Sequence, residues 1–202
     1  MRDLYKEHEE KFGRITSHIY SGFVNLGVLK LHDFVYKDIK KRINRSTKSI
    51  LDIGFGNGLV LEKLAKDKAA GKIELYGIDP STEMLKIAKG KSAKTGHKIN
   101  LRLGSSRLIP FKKKFDIVYT SLSYHHWKDR ESAIPYILKR INKNGSFIIY
   151  EYDKDARIEF RLMHGHMISK GDFKDLSFKG FRVKIRKSQH IISIEFKNHG
   201  GR

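Results

Sequence analysis

The sequence predicts an α/β fold: an open, mostly parallel seven-stranded sheet, covered by helices on both faces and finished by a C-terminal antiparallel hairpin. Three observations predict it. Short apolar runs of strand length alternate with helical stretches from Ser49 onward. The first run enters its helix through a turn with a glycine at every second position. Two strand-like runs, Phe181 to Ile185 and Ile191 to Phe196, close the chain with no helix between them. Strands that alternate with helices imply right-handed crossovers and parallel pairing. In such sheets the ligand sits beyond the carboxyl ends of the strands, so the loops after the first four strands are where chemistry is expected.

Residues 1–46 read as helical, with Leu4, Phe12, Ile15, Ile19 and Phe23 on one face. After a break near Asn25 and Gly27, Leu31, Val35, Ile39 and Ile43 share another. Residues 47–202 form the main domain, and the two parts make one compact unit. The first strand is Ser49 to Ile53, followed by a helix carrying Val60, Leu61, Leu64 and Ala65. Ile73 to Ile78 is the second strand. Ser81 can cap the next helix, with Glu83 in its first turn and Met84, Leu85 and Ala88 inward. Ile99 to Leu103 and Phe115 to Tyr119 are the third and fourth strands. A helix holding Ile137, Leu138 and Ile141 follows, which Pro135 starts or kinks. Phe147 to Tyr150 is the fifth strand. Asp172 to Leu176 reads as a short helix, and Lys187-Ser188-Gln189 joins the hairpin.

The 202 residues suit a single core, and the absence of cysteine excludes disulfides, thiolate metal sites and cysteine nucleophiles. No metal site is expected. No run approaches the roughly 18 apolar residues of a membrane span, and the N terminus lacks a leader pattern, so a cytoplasmic protein is expected. Forty-two Lys and Arg against 22 Asp and Glu leave a formal charge of +20. That excess makes a nucleic-acid partner possible. Its spread argues for a generally basic surface instead: the excess is +5 over residues 1–48, +8 over 49–153 and +7 over 154–202.

Asp52-Ile53-Gly54-Phe55-Gly56-Asn57-Gly58 carries the first chemistry. Side chains at Gly54, Gly56 and Gly58 would block the approach of backbone to a ligand, and glycine adopts tight dihedrals cheaply. A dinucleotide fingerprint would place its third glycine one residue later, so the spacing disfavours NAD. Asp79 closes the second strand 21 residues beyond Gly58, where a carboxylate can accept hydrogen bonds from both hydroxyls of a ribose.

Ile50 to Gly58 and Tyr76-Gly77-Ile78-Asp79-Pro80-Ser81 resemble the first two motifs of class I S-adenosylmethionine (SAM)-dependent methyltransferases. The likeness is nearest to the ubiquinone and menaquinone biosynthesis type. Gly104-Ser105-Ser106-Arg107-Leu108-Ile109-Pro110-Phe111, Phe115-Asp116-Ile117-Val118 with Ser121, and Leu138 to Gly145 extend it over about residues 48–152. The resemblance implies a Rossmann-like methyltransferase fold with S-adenosyl-L-methionine as cofactor. It also implies that Gly54, Gly56 and Gly58 line its methionine part, that Asp52 helps hold the amino group, and that Asp79 grips the ribose. Pro80 and Ser121 join that set. Where the family usually has an aspartate for the adenine amine, this chain offers Ser105 with Ser106 beside it. A hydroxyl accepts the same bond at roughly half the strength.

His125 and His126 lie in the loop where the methyl group would face its acceptor. Either could take a proton from an attacking hydroxyl or amine; alternatively one packs against adenine and the other shapes the pocket. His164 and His166 lack metal-ligand spacing and read as loop residues on the acceptor side. Without cysteine, methylation at carbon 5 of cytosine is set aside. Thr120-Ser121-Leu122-Ser123 departs from the Asn/Asp-Pro-Pro-Tyr/Phe pattern of exocyclic amine methylation. Residues 1–46, with Tyr5 and Phe12, would form a lid, and a small aromatic or lipidic acceptor is expected. An RNA or protein methyltransferase and a SAM-binding regulator without turnover are the alternatives. The sequence does not set the oligomeric state.

Overall fold

A computed structural model describes residues 22–68, 71–154, 167–173 and 176–200, with side chains from residue 28 onward. Within them run helices α1 (Gly22–Arg42), α2 (Leu59–Lys66), α3 (Thr82–Ser92) and α4 (Arg130–Leu138). The strands are β1 (Ser49–Ile53), β2 (Glu74–Asp79), β3 (Ile99–Leu103), β4 (Phe115–Ser121), β5 (Ile141–Asp153), β6 (Met167–Ile168), β7 (Phe181–Ser188) and β8 (Ile191–Asn198). The order across the sheet is β3-β2-β1-β4-β5-β8-β7, with β6 paired to β5. Pairings from β3 to β5 are parallel and those of β8 antiparallel. This is the expected architecture, with the two-residue β6 added to the seven expected strands.

Period-two alternation in the buried strands builds two cores. Leu51, Ile53, Ile78, Val118, Phe147 and Ile149 point to one face and meet Ile134, Ile137 and Leu138 of α4. Ile50, Leu75, Ile117, Tyr119, Ile148 and Tyr150 point to the other. There they meet Leu31, Val35 and Ile39 of α1 and Val60, Leu61 and Leu64 of α2. Polar contacts fix the layers in register. The Asp116 carboxylate accepts the backbone N–H groups of Lys48 and Ser49 at 2.8 and 3.0 Å and the Asn142 amide at 2.7 Å, joining the starts of β1, β4 and β5. Tyr150 donates to Asp38 at 2.5 Å, and Arg42 bridges Asp38 and Glu195 at 2.8 and 2.6 Å, pinning α1 to β5 and β8.

Several local expectations change. No break occurs near Asn25 and Gly27, because α1 runs through both as one helix of 21 residues. Leu4, Phe12, Ile15 and Ile19, and with them residues 1–21 of the expected 1–46 lid, lie outside the described residues, as does the side chain of Phe23, while the rest of that segment carries α1, whose Leu31, Val35 and Ile39 pack on the sheet. Ile141 opens β5 rather than continuing a helix, and Asn144 at φ 62 lets the strand begin six residues before Phe147. The strand absorbs the extra residues as an irregular register between Phe115 and Ile117. Pro135 lies inside α4, whose start is capped instead by Asp129 accepting from the Ser132 N–H. A 3-10 turn at Lys170–Phe173 stands where the helix expected from Asp172 would begin, residues 174 and 175 lie outside the described residues, and the hairpin turns through Gln189, at φ 53, and His190, two residues after the expected start at Lys187. Among the described residues no helix is long and apolar enough to cross a membrane. On the edge strand β7, Arg182, Lys184 and Arg186 are exposed, while Phe181, Val183 and Ile185 turn toward the core.

Gly77 sits where two layers touch. A Cβ there would lie 2.7 Å from Leu61 and 2.8 Å from both Leu101 and Phe55. Gly77→Ala should therefore destabilise the fold by about 1–3 kcal/mol through overpacking. Urea denaturation of the two proteins measures it, and an unchanged midpoint would show that the helix layer yields freely.

Candidate functional site

The loops after β1, β2, β3 and β4 meet at the carboxyl edge of the sheet, and backbone hydrogen bonds hold the glycine turn against the end of β2. Gly54 N–H donates to the Ile78 carbonyl at 2.8 Å, and Gly58 N–H to that of Phe55 at 2.9 Å. All three glycines adopt left-handed dihedrals, φ 76, 54 and 75, which a residue with a side chain adopts only at a cost. Their surroundings differ, which refines the expectation that each faces a ligand. A Cβ at Gly54 would lie 2.7 Å from that of Ser123, and one at Gly58 would lie 3.0 Å from that of Ala88, so these two glycines admit protein neighbours. At Gly56 a Cβ would meet no atom within 4 Å. The open side of the turn is therefore at Gly56.

Asp79 organises this edge. One carboxylate oxygen accepts the Gly56 N–H and the other the Ser81 N–H, both at 2.8 Å. Ser81 in turn caps α3 by accepting the Met84 N–H at 3.2 Å. Burial lifts the Asp79 carboxyl to about 6, with the two backbone donors opposing the rise. Each oxygen keeps lone pairs for further donors. Pro80, next along, is half-buried.

Among the described residues, one carboxylate oxygen of Asp52, at 2% exposure, has no hydrogen-bond partner. Burial pushes its carboxyl up to about 8; the Tyr119 hydroxyl beside it holds it down somewhat and the Asp79 charge adds to the rise. A buried carboxylate short of donors is a place for a cation or an ammonium group.

After β3, Ser105 and Leu108 exchange backbone hydrogen bonds at 3.0 Å, and the Ser105 hydroxyl accepts the Arg107 N–H at 3.3 Å. Ser105 and Ser106 are both buried. Ser121 is buried at the end of β4, and Leu122 follows at φ 50, a left-handed conformation uncommon for leucine. The chain then lays Ser123 over Gly54 and forms a 3-10 turn, Tyr124–His126. His125 Nδ1 lies 2.9 Å from Glu151 of β5, and its backbone N–H donates to the same carboxylate at 3.3 Å. The His126 ring is tilted against that of His125, with centroids 3.9 Å apart. His125 also lines a depression of about 590 Å³ rimmed by Trp127, Lys128, Asp129, Arg130 and Glu131.

The described loops thus bring Asp52, Gly56, Asp79, Ser105, Ser106, Ser121, His125 and His126 to one edge. His164 and His166 lie outside the described residues. Sequence reasoning missed Glu151 and Tyr119. A charged residue inside the apolar run Phe147 to Tyr152 was the available signal for the first.

Residues 51–149 match the family model described as a methyltransferase domain. A ubiquinone biosynthesis O-methyltransferase of Pelagibacter ubique is 28% identical over 169 residues, covering 78% of this chain and 69% of that one. An uncharacterized methyltransferase, YdaC, of Bacillus subtilis is 28% identical over 149 residues, covering 72% and 80%. Among solved structures, the plantazolicin methyltransferase BpumL, in complex with a triazolic desmethylPZN analog and SAH, shares the fold. Its TM-score is 0.77 at 14% identity, over 93% of this chain and 92% of that one.

Both raised carboxyls bind protons more tightly in the folded chain than at their ordinary value of 3.8. Stability from this source is complete below that value and falls as pH rises through about 6 and then about 8. Asp52→Asn should accordingly lose less stability than wild type between about pH 6 and about pH 9. Urea titrations at both ends test this; equal losses would mean that Asp52 ionises without penalty.

Proposed function

Because the chain belongs to the class I SAM-dependent methyltransferases, we propose that it methylates a small aromatic or lipidic acceptor, with the cofactor held between Asp52, Gly56 and Asp79. The observation that carries the binding mode is the contrast within the glycine turn: only at Gly56, of the three, is the space beyond the backbone empty, and Asp79 holds that very residue. The Asp52 oxygen without a partner suits the ammonium of the methionine part, and the spare lone pairs of Asp79 suit the two ribose hydroxyls. Gly54 and Gly58 would shape the turn from behind. Pro80 and Ser121 would close its sides, and Ser105 and Ser106 would face the adenine amine.

When bound, SAM supplies a methyl group already activated by a sulfonium. The protein's share is then alignment, exclusion of water and removal of any proton that the acceptor must lose. His125 would remove it; what supports this is that its ring lies 2.9 Å from Glu151 through Nδ1 and packs beside the His126 ring. A small acceptor is supported by the depression of about 590 Å³ that His125 and Trp127 line together. The names of two relatives point the same way, one acting in ubiquinone biosynthesis and one bound to a desmethylPZN analog. Incubating small-molecule extract with methyl-labelled SAM and searching by mass spectrometry for labelled products identifies the acceptor. Label found only in RNA or protein fractions would reject this reading.

SAM and S-adenosylhomocysteine should raise the melting temperature while NAD leaves it unchanged. Stabilisation by NAD alone would refute the cofactor assignment. Asp79→Ala should weaken SAM binding about a hundredfold, from two lost bonds to the ribose, and also lower stability by releasing two backbone N–H groups. Asp79→Asn should be nearly as weak, because its amide nitrogen would confront one of those donors. Calorimetry checks both; wild-type affinity in either removes Asp79 from the ribose site. His125→Ala should slow methyl transfer at least tenfold with SAM affinity preserved, and a loss of SAM affinity at normal turnover would return His125 to the cofactor pocket.

A further inference from the structure

β7 ends the sheet order and runs eight residues, from Phe181 to Ser188. Its pairing with β8 settles which way its backbone points. Continuing the register sets Gly180 opposite His199, and the His199 N–H donates to the Gly180 carbonyl at 3.0 Å. Bonded pairs alternate along an antiparallel ladder, so the even-numbered residues of β7 direct their backbone groups to β8. Those of Val183, Ile185 and Lys187 face away from the sheet. Among the described residues no strand lies on that side. The opposite edge differs. There β3 has five residues, and its Arg102 donates to the Pro110 carbonyl at 2.9 Å and lies over the Phe111 ring.

The two faces of β7 carry different chemistry. Phe181, Val183 and Ile185 are half-buried and, with Lys170, Phe173 and Leu176, line a depression of about 360 Å³. Arg182, Lys184 and Arg186 alternate with them and are exposed. Acids are short on this second face. Arg182 stands opposite Lys197 of β8, an arrangement of like charges that disfavours the pair. Lys184 stands opposite Glu195, but that carboxylate already accepts from Arg42 at 2.6 Å and from Arg186 at 3.4 Å. Arg182 and Lys184 are thus left without an acidic partner among the described residues.

We propose that β7 is a docking strand for an extended acidic peptide of a partner protein, one in which Asp or Glu alternates with apolar residues. Such a peptide joins the sheet as a further strand, its backbone pairing with Val183, Ile185 and Lys187. Successive side chains of a strand point to opposite faces. The acids of the peptide therefore lie beside Arg182, Lys184 and Arg186, and its apolar residues cover the depression. This one pattern satisfies the unpaired backbone, the basic face and the apolar face together. A nucleic acid would answer only the charge.

Fluorescence anisotropy of labelled peptides on the full chain tests this, each peptide about seven residues long to match Phe181 to Lys187. A peptide of alternating Glu and Val should bind, and an isomer with its Glu and Val in separate blocks should bind about tenfold more weakly. Methylating the amide nitrogens of either the Val or the Glu residues should give one peptide that binds and one that does not, because only one set faces β7. Arg182→Glu combined with Lys184→Glu should weaken the alternating peptide about tenfold or more. Equal binding of the two isomers, of the two methylated peptides, or of wild type and the double variant overturns the proposal. So does single-stranded RNA that binds more tightly than the peptide and is released by the double variant, which would make this face a nucleic-acid interface. A dimer in sedimentation that the double variant abolishes would also overturn it, the occupant then being a second copy. The comparison of isomers uses wild-type protein and decides the matter even where the variant does not fold.

Discussion

One carboxylate ties the carboxyl edge of the sheet together. Asp79 reaches from the end of β2 to the N–H of Gly56 on one side and to that of Ser81 on the other. The glycine turn, the strand end and the first turn of α3 are thereby set relative to one another before any ligand arrives. The same two bonds explain why a buried acid can persist at all, since each offsets part of the cost of removing the charge from water. Its remaining lone pairs point to a neighbour that donates, and a vicinal diol is such a neighbour.

Asp52 is a contrasting case. It is as buried as Asp79 but has an oxygen without a partner, close to a second acid. Such an arrangement is unfavourable in the free chain and becomes favourable when a cation enters, so part of the binding energy is relief of a cost already present. A site built this way discriminates by charge: a neutral analogue leaves the oxygen as it was. In the binding mode proposed above, the two acids would divide recognition between them, one prepared by backbone donors and one awaiting a donor from the ligand.

Much of this was legible in the sequence because it is local. Ser49 to Ile53 and Ile99 to Leu103 were bounded by turn residues and read to the residue. The glycine turn, Asp79 and the Ser81 cap are likewise patterns within a short stretch. What failed was decided at a distance. The Gly27 region continues as helix although glycine there costs about 1 kcal/mol, because Leu31, Val35 and Ile39 anchor the helix to the sheet. β5 begins at Ile141 because β4 offers it a partner. Glu151 stands 26 residues from His125 in the chain, and no spacing rule links a buried acid on one strand to a histidine in the loop after its neighbour. Which glycine faces open space also depends on Ser123 and Ala88, which the turn's own sequence does not contain.

The cationic face of β7 bears on how the protein behaves in a crowded solution. As the last strand in the sheet order, β7 presents backbone N–H and C=O groups that another strand could extend. Two such edges approaching one another would bring Arg182, Lys184 and Arg186 of each chain together, on molecules that each carry a formal charge of +20. Repulsion of this kind works over about 10 Å at 0.1 M salt and about 3 Å at 1 M. Protection of the edge against aggregation is therefore a property of the medium as well as of the fold, strongest in dilute buffer and weakest in the salt-rich conditions often chosen to keep basic proteins free of nucleic acid.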